Sequence, residues 1–131
     1  MAEIRSLMTK DVIAFRESTP IVEALQCLID NQISGAPVIC SDRRIVGVIS
    51  EADLLSIFWK TNVTTVGEIM TPSPVCMSVD KPLVDVVDCL MSNNFRRVLI
   101  HDQQQRLVGL ISRADLMPAI LDELIGRVLV R

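Results

Sequence analysis

The 131-residue sequence contains no tyrosine, one tryptophan, three phenylalanines and one histidine. At 3% of the chain, aromatic residues are too few to stack successive bases as a single-strand nucleic-acid binder does. A net charge of −3 also lacks the surplus of Lys and Arg on which non-specific phosphate contacts depend, so nucleic acid is not an expected partner. Cys27, Cys40, Cys76 and Cys89 form no C-x-x-C pair, and one histidine cannot complete a metal-ligand set. The five glycines make no phosphate-cradling loop. His101 stands beside Asp102 but has no nucleophile at a catalytic spacing, so no enzyme is expected and no catalytic or metal residue is assigned. No apolar run reaches the roughly 20 residues that cross a bilayer. The opening Met-Ala-Glu-Ile-Arg lacks the layout of a secretory leader. These absences point to a cytoplasmic protein whose cysteines serve as small buried hydrophobes in a reducing compartment.

What the chain has in quantity is aliphatic surface: half its residues are hydrophobic and the mean hydropathy is +0.41. A chain of this length suits one domain burying roughly two-thirds of its unfolded surface. Apolar excess with no membrane span then implies a protein partner, most simply a second copy, giving a homodimer. The helices around Leu54–Trp59 and Leu116–Leu129 are the expected interface, and Trp59 is expected to pack either there or between the repeats.

The chain is also written twice. Gly47-Val48-Ile49-Ser50-Glu51-Ala52-Asp53-Leu54 returns 62 positions later as Gly109-Leu110-Ile111-Ser112-Arg113-Ala114-Asp115-Leu116. Residues 4–55 align with 66–117 without a gap and with fifteen identities, among them Met8-Thr9 with Met70-Thr71. A repeat at this scale governs every later inference about fold. The expected repeats are residues 1–62 and 63–131, the second carrying a C-terminal helix.

Each repeat reads as β-α-β-β-α. Short helical lead-ins at 3–8 and 66–70 precede extended segments at 12–15 and 75–79. Ser18-Thr19-Pro20 predicts a helix start with a hydroxyl N-cap and Pro at the first helical position. The helix runs to Asn31, its copy from Pro82 to about Asn93, and Asn is the expected left-handed terminator. Ile21, Val22, Leu25, Leu28 and Ile29, and in the copy Leu83, Val87, Leu90 and Met91, form the expected buried stripes. Hairpins follow, with polar turns at 40–43 and 102–105, and a helix opens after Ser50 and after Ser112. One copy has too little apolar area to stand alone, so the fold class is α+β with two repeats packed about a pseudo-twofold axis.

The series Met-Thr, Pro-x-x-Glu/Asp, Ala36-Pro37-Val38-Ile39 and Val-Gly-h-Ile-Ser-x-Ala-Asp-Leu, twice in order at one spacing, resembles a tandem pair of cystathionine-β-synthase (CBS) domains. The resemblance covers roughly residues 4–125. It implies a regulatory sensor that needs no cofactor and binds AMP, ADP, ATP or S-adenosylmethionine in clefts between the repeats. The regulated enzyme or transporter would be a separate chain, and an interaction scaffold with vestigial clefts is the alternative. By the resemblance, Asp53 and Asp115 hold ribose hydroxyls, Ser50 and Ser112 contact ribose or phosphate, and Ile13, Ala36, Pro37, Val75 and Val98 line the adenine slots. Ser-x-x-Asp before an apolar run is also a helix cap, and the two roles can coexist. The copies differ where Ser34-Gly35 is replaced by Arg96-Arg97, suited to bidentate phosphate contacts. The expectation is that the Asp53 cleft, served by Arg96 and Arg97, takes a phosphorylated nucleotide, and that the Asp115 cleft, facing Ser34 and Gly35, is weaker, empty or suited to a less charged ligand.

Overall fold

The computed structural model describes residues 3–129. Two compact units emerge. One gathers residues 12–74 with 104–107, and the other gathers residues up to Asp11 with 75–103 and 108 onward. The compact units therefore follow a different cut from the repeat boundary at residues 62 and 63. The first repeat's lead-in belongs to the unit built from the second repeat, and 63–74 stays with the first.

In the first unit, α2 (Ile21–Asp30) packs on a sheet of β1 (Ala36–Ile39), β2 (Ile45–Ile49) and β3 (Thr71–Pro72), in that order; the short α1 (Ile4–Leu7) lies in the other unit. β1 and β2 are antiparallel, with Ala36 opposite Ile49 and a bulge between Val38 and Ile39. Pro37 has no N–H to give, but its carbonyl accepts from Phe15 N at 3.0 Å, and Phe15 returns its own carbonyl to Ile39 N at 2.8 Å. The core of this unit includes Phe15, Ile21, Ala24, Leu28, Val38, Ile49 and Val66. Val66 contributes from the second repeat's lead-in.

The second unit repeats the plan. β4 (Cys76–Ser78) lies parallel to β5 (Arg97–His101), which neighbours β6 (Leu107–Ser112), and α4 (Leu83–Ser92) covers them. In the first unit, α3 (Glu51–Leu55) passes into a short 3-10 turn. In the second, a 3-10 turn at Ala114–Leu116 passes into α5 (Met117–Leu129), and Pro118 is accepted at its second position without a break. Ile4, Val86, Leu90, Val98, Ile100 and Ile111 lie in this core.

The lead-ins are held by one contact used twice. Thr71 pairs with Val48 and Thr9 with Leu110, each beside a glycine. A Cβ on Gly47 would sit 2.7 Å from Met70 Sδ, and one on Gly109 2.5 Å from Met8 Sδ. Each glycine leaves room for the methionine of the other repeat's Met-Thr.

Three local expectations are corrected. Pro20, not Ser18 or Thr19, is the N-cap of α2, because its extended backbone (ψ 138°) stops just short of the helix; Thr19 Oγ1 instead accepts from Arg16 N at 3.0 Å. Asn31 and Asn93 are not left-handed: Gln32 (φ 55°) and Asn94 (φ 53°) are. The asparagines act through side chains, their Nδ2 groups donating to Cys27 O at 2.8 Å and Cys89 O at 2.9 Å. The buried stripes are Ile21-Ala24-Leu28 and Leu83-Val86-Leu90, whereas Val22, Ile29 and Met91 are 80%, 60% and 69% exposed.

Candidate ligand-binding site

The duplicated Ser-x-x-Asp motifs sit where β2 and β6 end. In the first unit Ser50 is extended (φ −126°) and caps α3. Ser50 N–H donates to Asp53 Oδ2 at 2.9 Å, Ser50 Oγ donates to the same oxygen at 3.0 Å, and Asp53 N–H points back at Ser50 Oγ at 3.5 Å. In the second unit Ser112 N–H donates to Asp115 Oδ2 at 2.8 Å and Asp115 N–H to Ser112 Oγ at 3.2 Å. The capping role is thus present in both copies. It orients each carboxylate at the end of a buried strand while leaving it half-buried.

One contact breaks the symmetry. Thr71 Oγ1 donates to Asp53 Oδ1 at 2.9 Å. Thr9, its counterpart, binds Leu110 through its backbone N–H (2.8 Å) and carbonyl (2.9 Å). No bond from Thr9 to Asp115 is present among the described residues. Sequence order alone gives no sign that Thr71 meets Asp53, although the duplicated Met-Thr is the available signal.

The remaining residues divide by unit. Ile13, Ala36 and Pro37 lie with Ser50 and Asp53; Val75, Arg96, Arg97 and Val98 lie with Ser112 and Asp115. Ala36 and Pro37 are buried in β1, and Val98 is buried in β5. Ile13 is packed against the first core, and Val75 is half exposed just before β4. Arg96 and Arg97 are exposed at the start of β5, and Arg96 O accepts from Arg113 N at 3.1 Å.

Arg113 was read only as a variable position within the motif. Its guanidinium donates to Phe95 O at 2.7 Å, Leu90 O at 3.1 Å and Asn94 Oδ1 at 3.3 Å, clamping the end of α4. Glu51, whose carboxylate cannot donate, occupies that position in the first repeat. His101 Nδ1 lies 2.7 Å from Asp102 O, a local contact. None of the four cysteines forms a disulfide; all are half-buried, and burial pushes the Cys76 thiol above its ordinary value. Among the described residues no cluster of three His, Cys, Asp or Glu could hold a metal, and no helix is long and apolar enough to cross a membrane. Trp59, expected to pack, is 83% exposed within this chain.

The CBS domain family model matches residues 4–60 and again 66–122. The chain belongs to the CBS domain family. It is 30% identical to the chloroplastic CBS domain-containing protein CBSX1 of Arabidopsis thaliana, over 90% of this chain and 64% of that protein. The chain therefore spans less than two-thirds of the length of CBSX1, and 57% of CBSX2 from the same plant. The structure of CBSX2 in complex with AMP superposes with a TM-score of 0.83 at 30% identity, covering 93% of this chain and 98% of that one. The CBS domain pair of protein MJ0100, in complex with 5′-methylthioadenosine and S-adenosyl-L-methionine, shares the fold at 24% identity and a TM-score of 0.78. The α+β class and the tandem CBS arrangement read from the repeat are those of the family.

Proposed function

We propose that this CBS pair is a regulatory module that binds an adenosine-containing ligand and passes its occupancy to a partner protein. The AMP complex of CBSX2, alike over nearly the whole of both chains, is the observation that carries the reading. Ser50, Asp53, Ser112 and Asp115 are assigned to ribose hydroxyls and phosphate, and Arg96 and Arg97 to phosphate. Ile13, Ala36, Pro37, Val75 and Val98 are assigned to the adenine slots. A carboxylate accepting from vicinal hydroxyls makes charge-assisted hydrogen bonds worth about 1.5–3 kcal/mol each. AMP, ADP, ATP and S-adenosylmethionine are the ligands to distinguish, and no bound cofactor is required.

In this reading the module works in the cytoplasm as a homodimer, and the enzyme or transporter it regulates is a separate chain. Ligand shifts the module only by binding its conformations unequally. Titration calorimetry of nucleotide-free protein against the four ligands, with GTP as control, tests the proposal. Adenine-selective binding is the expected result. No binding across the panel would leave an interaction scaffold as the function.

A further inference from the structure

The turn that carries Arg96 is fastened by one residue from outside it. Asn93 caps α4, Asn94 turns left-handed (φ 53°), and Arg97 opens β5. Across this turn Arg113 Nε donates to Phe95 O at 2.7 Å, and Arg113 Nη2 donates to Asn94 Oδ1 at 3.3 Å and to Leu90 O at 3.1 Å. The backbone N–H of Arg113 donates to Arg96 O at 3.1 Å. Residues 94, 95 and 96 are therefore each held at an oxygen by Arg113. Leu90 O, which also takes Phe95 N at 3.0 Å, joins them to the helix. A guanidinium suits this place, because its planar fork reaches several acceptors at once and its charge stands at the C-terminal end of α4, where the helix dipole favours a cation. Next to it, Ser112 N–H is fixed on Asp115 Oδ2 at 2.8 Å, so the clamp starts from an ordered strand end. All of these residues belong to one compact unit.

We propose that Arg113 is the positioning residue for phosphate recognition. It sets the backbone from which Arg96 and Arg97 reach the anion and does not touch the anion itself. The two copies differ in the way this requires. At the offset of 62, Arg96, Arg97 and Arg113 stand where the first repeat has Ser34, Gly35 and Glu51. The copy that presents the arginine pair also carries the clamp. In the other copy the Glu51 carboxylate cannot donate to a carbonyl. Arg96 and Arg97 are exposed, and long side chains lose rotamer freedom when they bind, so a fixed root limits what must be ordered with the ligand. Nε and Nη2 of Arg113 are committed to Phe95, Leu90 and Asn94, which is why its effect runs through the turn. This inference rests on the proposed binding of an adenosine phosphate by the arginine pair, and it names the residue that makes the pair effective.

The test measures AMP and adenosine by titration calorimetry on wild type, Arg96→Ala with Arg97→Ala, Arg113→Met and Arg113→Lys, each at a temperature where circular dichroism shows it folded. The ratio of the two affinities isolates the phosphate. Wild type should prefer AMP by about ten-fold or more, and the double alanine variant should lose that preference. Both Arg113 variants should cut the preference by about five-fold or more, with adenosine affinity within about two-fold of wild type. Lysine keeps the charge but not the fork, so it separates placement from charge, and it carries the test if Arg113→Met does not fold. A purely structural role would weaken both ligands in parallel or leave both alone, and either result overturns the proposal. So does an Arg113→Lys variant that keeps the full preference. Amide exchange supplies an arm without ligand: Phe95 N–H, bound to Leu90 O, should exchange faster in both Arg113 variants, and unchanged exchange removes the clamp. Wild type that binds neither ligand defeats the proposed function and this inference together. A wild type without AMP preference, or a preference that survives the double alanine variant, overturns the phosphate assignment and the inference while adenosine binding keeps the broader function. A preference that survives only in the Arg113 variants defeats the inference alone.

Discussion

Gly35→Ala tests how closely the start of β1 approaches the end of β2. A Cβ built on Gly35 lies 2.6 Å from Ile49 O and 3.4 Å from Ser50 Cα. Neither neighbour is a flexible side-chain tip. Ile49 faces Ala36 across the ladder, and Ser50 begins the cap that holds Asp53, so relief requires moving the strand end. Such overpacking costs about 1–3 kcal/mol. Gly35 has no positive φ, so alanine recovers roughly 0.4–1 kcal/mol from the stiffer unfolded chain. The net expectation is a loss of about 1–2 kcal/mol, or a fall in Tm of about 4–8 °C for a chain of this size. Urea and thermal melts read it directly. Gly126→Ala is the control: nothing lies within 4 Å of its Cβ, and it sits within α5. There alanine should stabilise by up to about 1 kcal/mol. A neutral or stabilising Gly35→Ala would refute the close approach, and with it the reason for glycine where the second repeat carries Arg97.

Arg113→Met should cost about 1–3 kcal/mol in a urea melt by unclamping the end of α4, whereas Glu51→Met at the equivalent position should be near neutral. Gln32→Gly should stabilise by about 1 kcal/mol, because Gln32 holds a left-handed conformation just past the α2 cap. The Cys40 thiol, and then Arg44, hold the Asp42 carboxyl down to about 2 from an ordinary value of 3.8. The interaction is therefore complete above the ordinary value and is lost as pH falls through about 2; carboxyl NMR titration should show this, and Cys40→Ala should move the midpoint upward. In the proposed homodimer, Phe58→Ser with Trp59→Ser, at residues 85% and 83% exposed, should lower the mass measured by light scattering from dimer to monomer, and Tm with it.

Much of the fold was legible because the repeat is gapless. An offset that matches Ser50-Glu51-Ala52-Asp53 to Ser112-Arg113-Ala114-Asp115 also transfers every strand and helix between copies. The destination of the lead-ins was not legible. Met8-Thr9 is apolar and polar in the right order to end a helix, and nothing local says that it pairs at Leu110, a hundred residues away. The two identities that carry this contact, methionine and glycine, were visible only as separate matches. The helix stripes failed for a related reason. α2 and α4 each carry two apolar stripes, and periodicity alone cannot say which one faces the sheet. Ala24 and Val86 are fully buried, and so is the larger Leu90 at 1% exposure. The Ser–Asp pairs are legible in the motif, but the extra hydrogen bond on Asp53 comes from Thr71, eighteen residues further on.

The stripes that face away have a meaning of their own. Val22, Leu25 and Ile29 are exposed on α2, and Val84, Val87 and Met91, each 62 positions on, are exposed on α4. Leu55, Phe58 and Trp59 are exposed after Ser50; Met117, Ile120 and Leu121, again 62 positions on, are exposed in α5. Scattered exposed hydrophobes need no explanation, but the same six positions left open in both copies are not scatter. They lie on the helices rather than at the Ser–Asp ends of the strands. In the second unit such residues line an open groove of about 960 Å³ between α4 and α5, which none of the assigned ligand residues enters. The proposed ligand residues at the strand ends and the apolar positions on the helices are therefore separable surfaces of one repeat. That separation is what a module needs if it is to bind a small ligand and a protein at once.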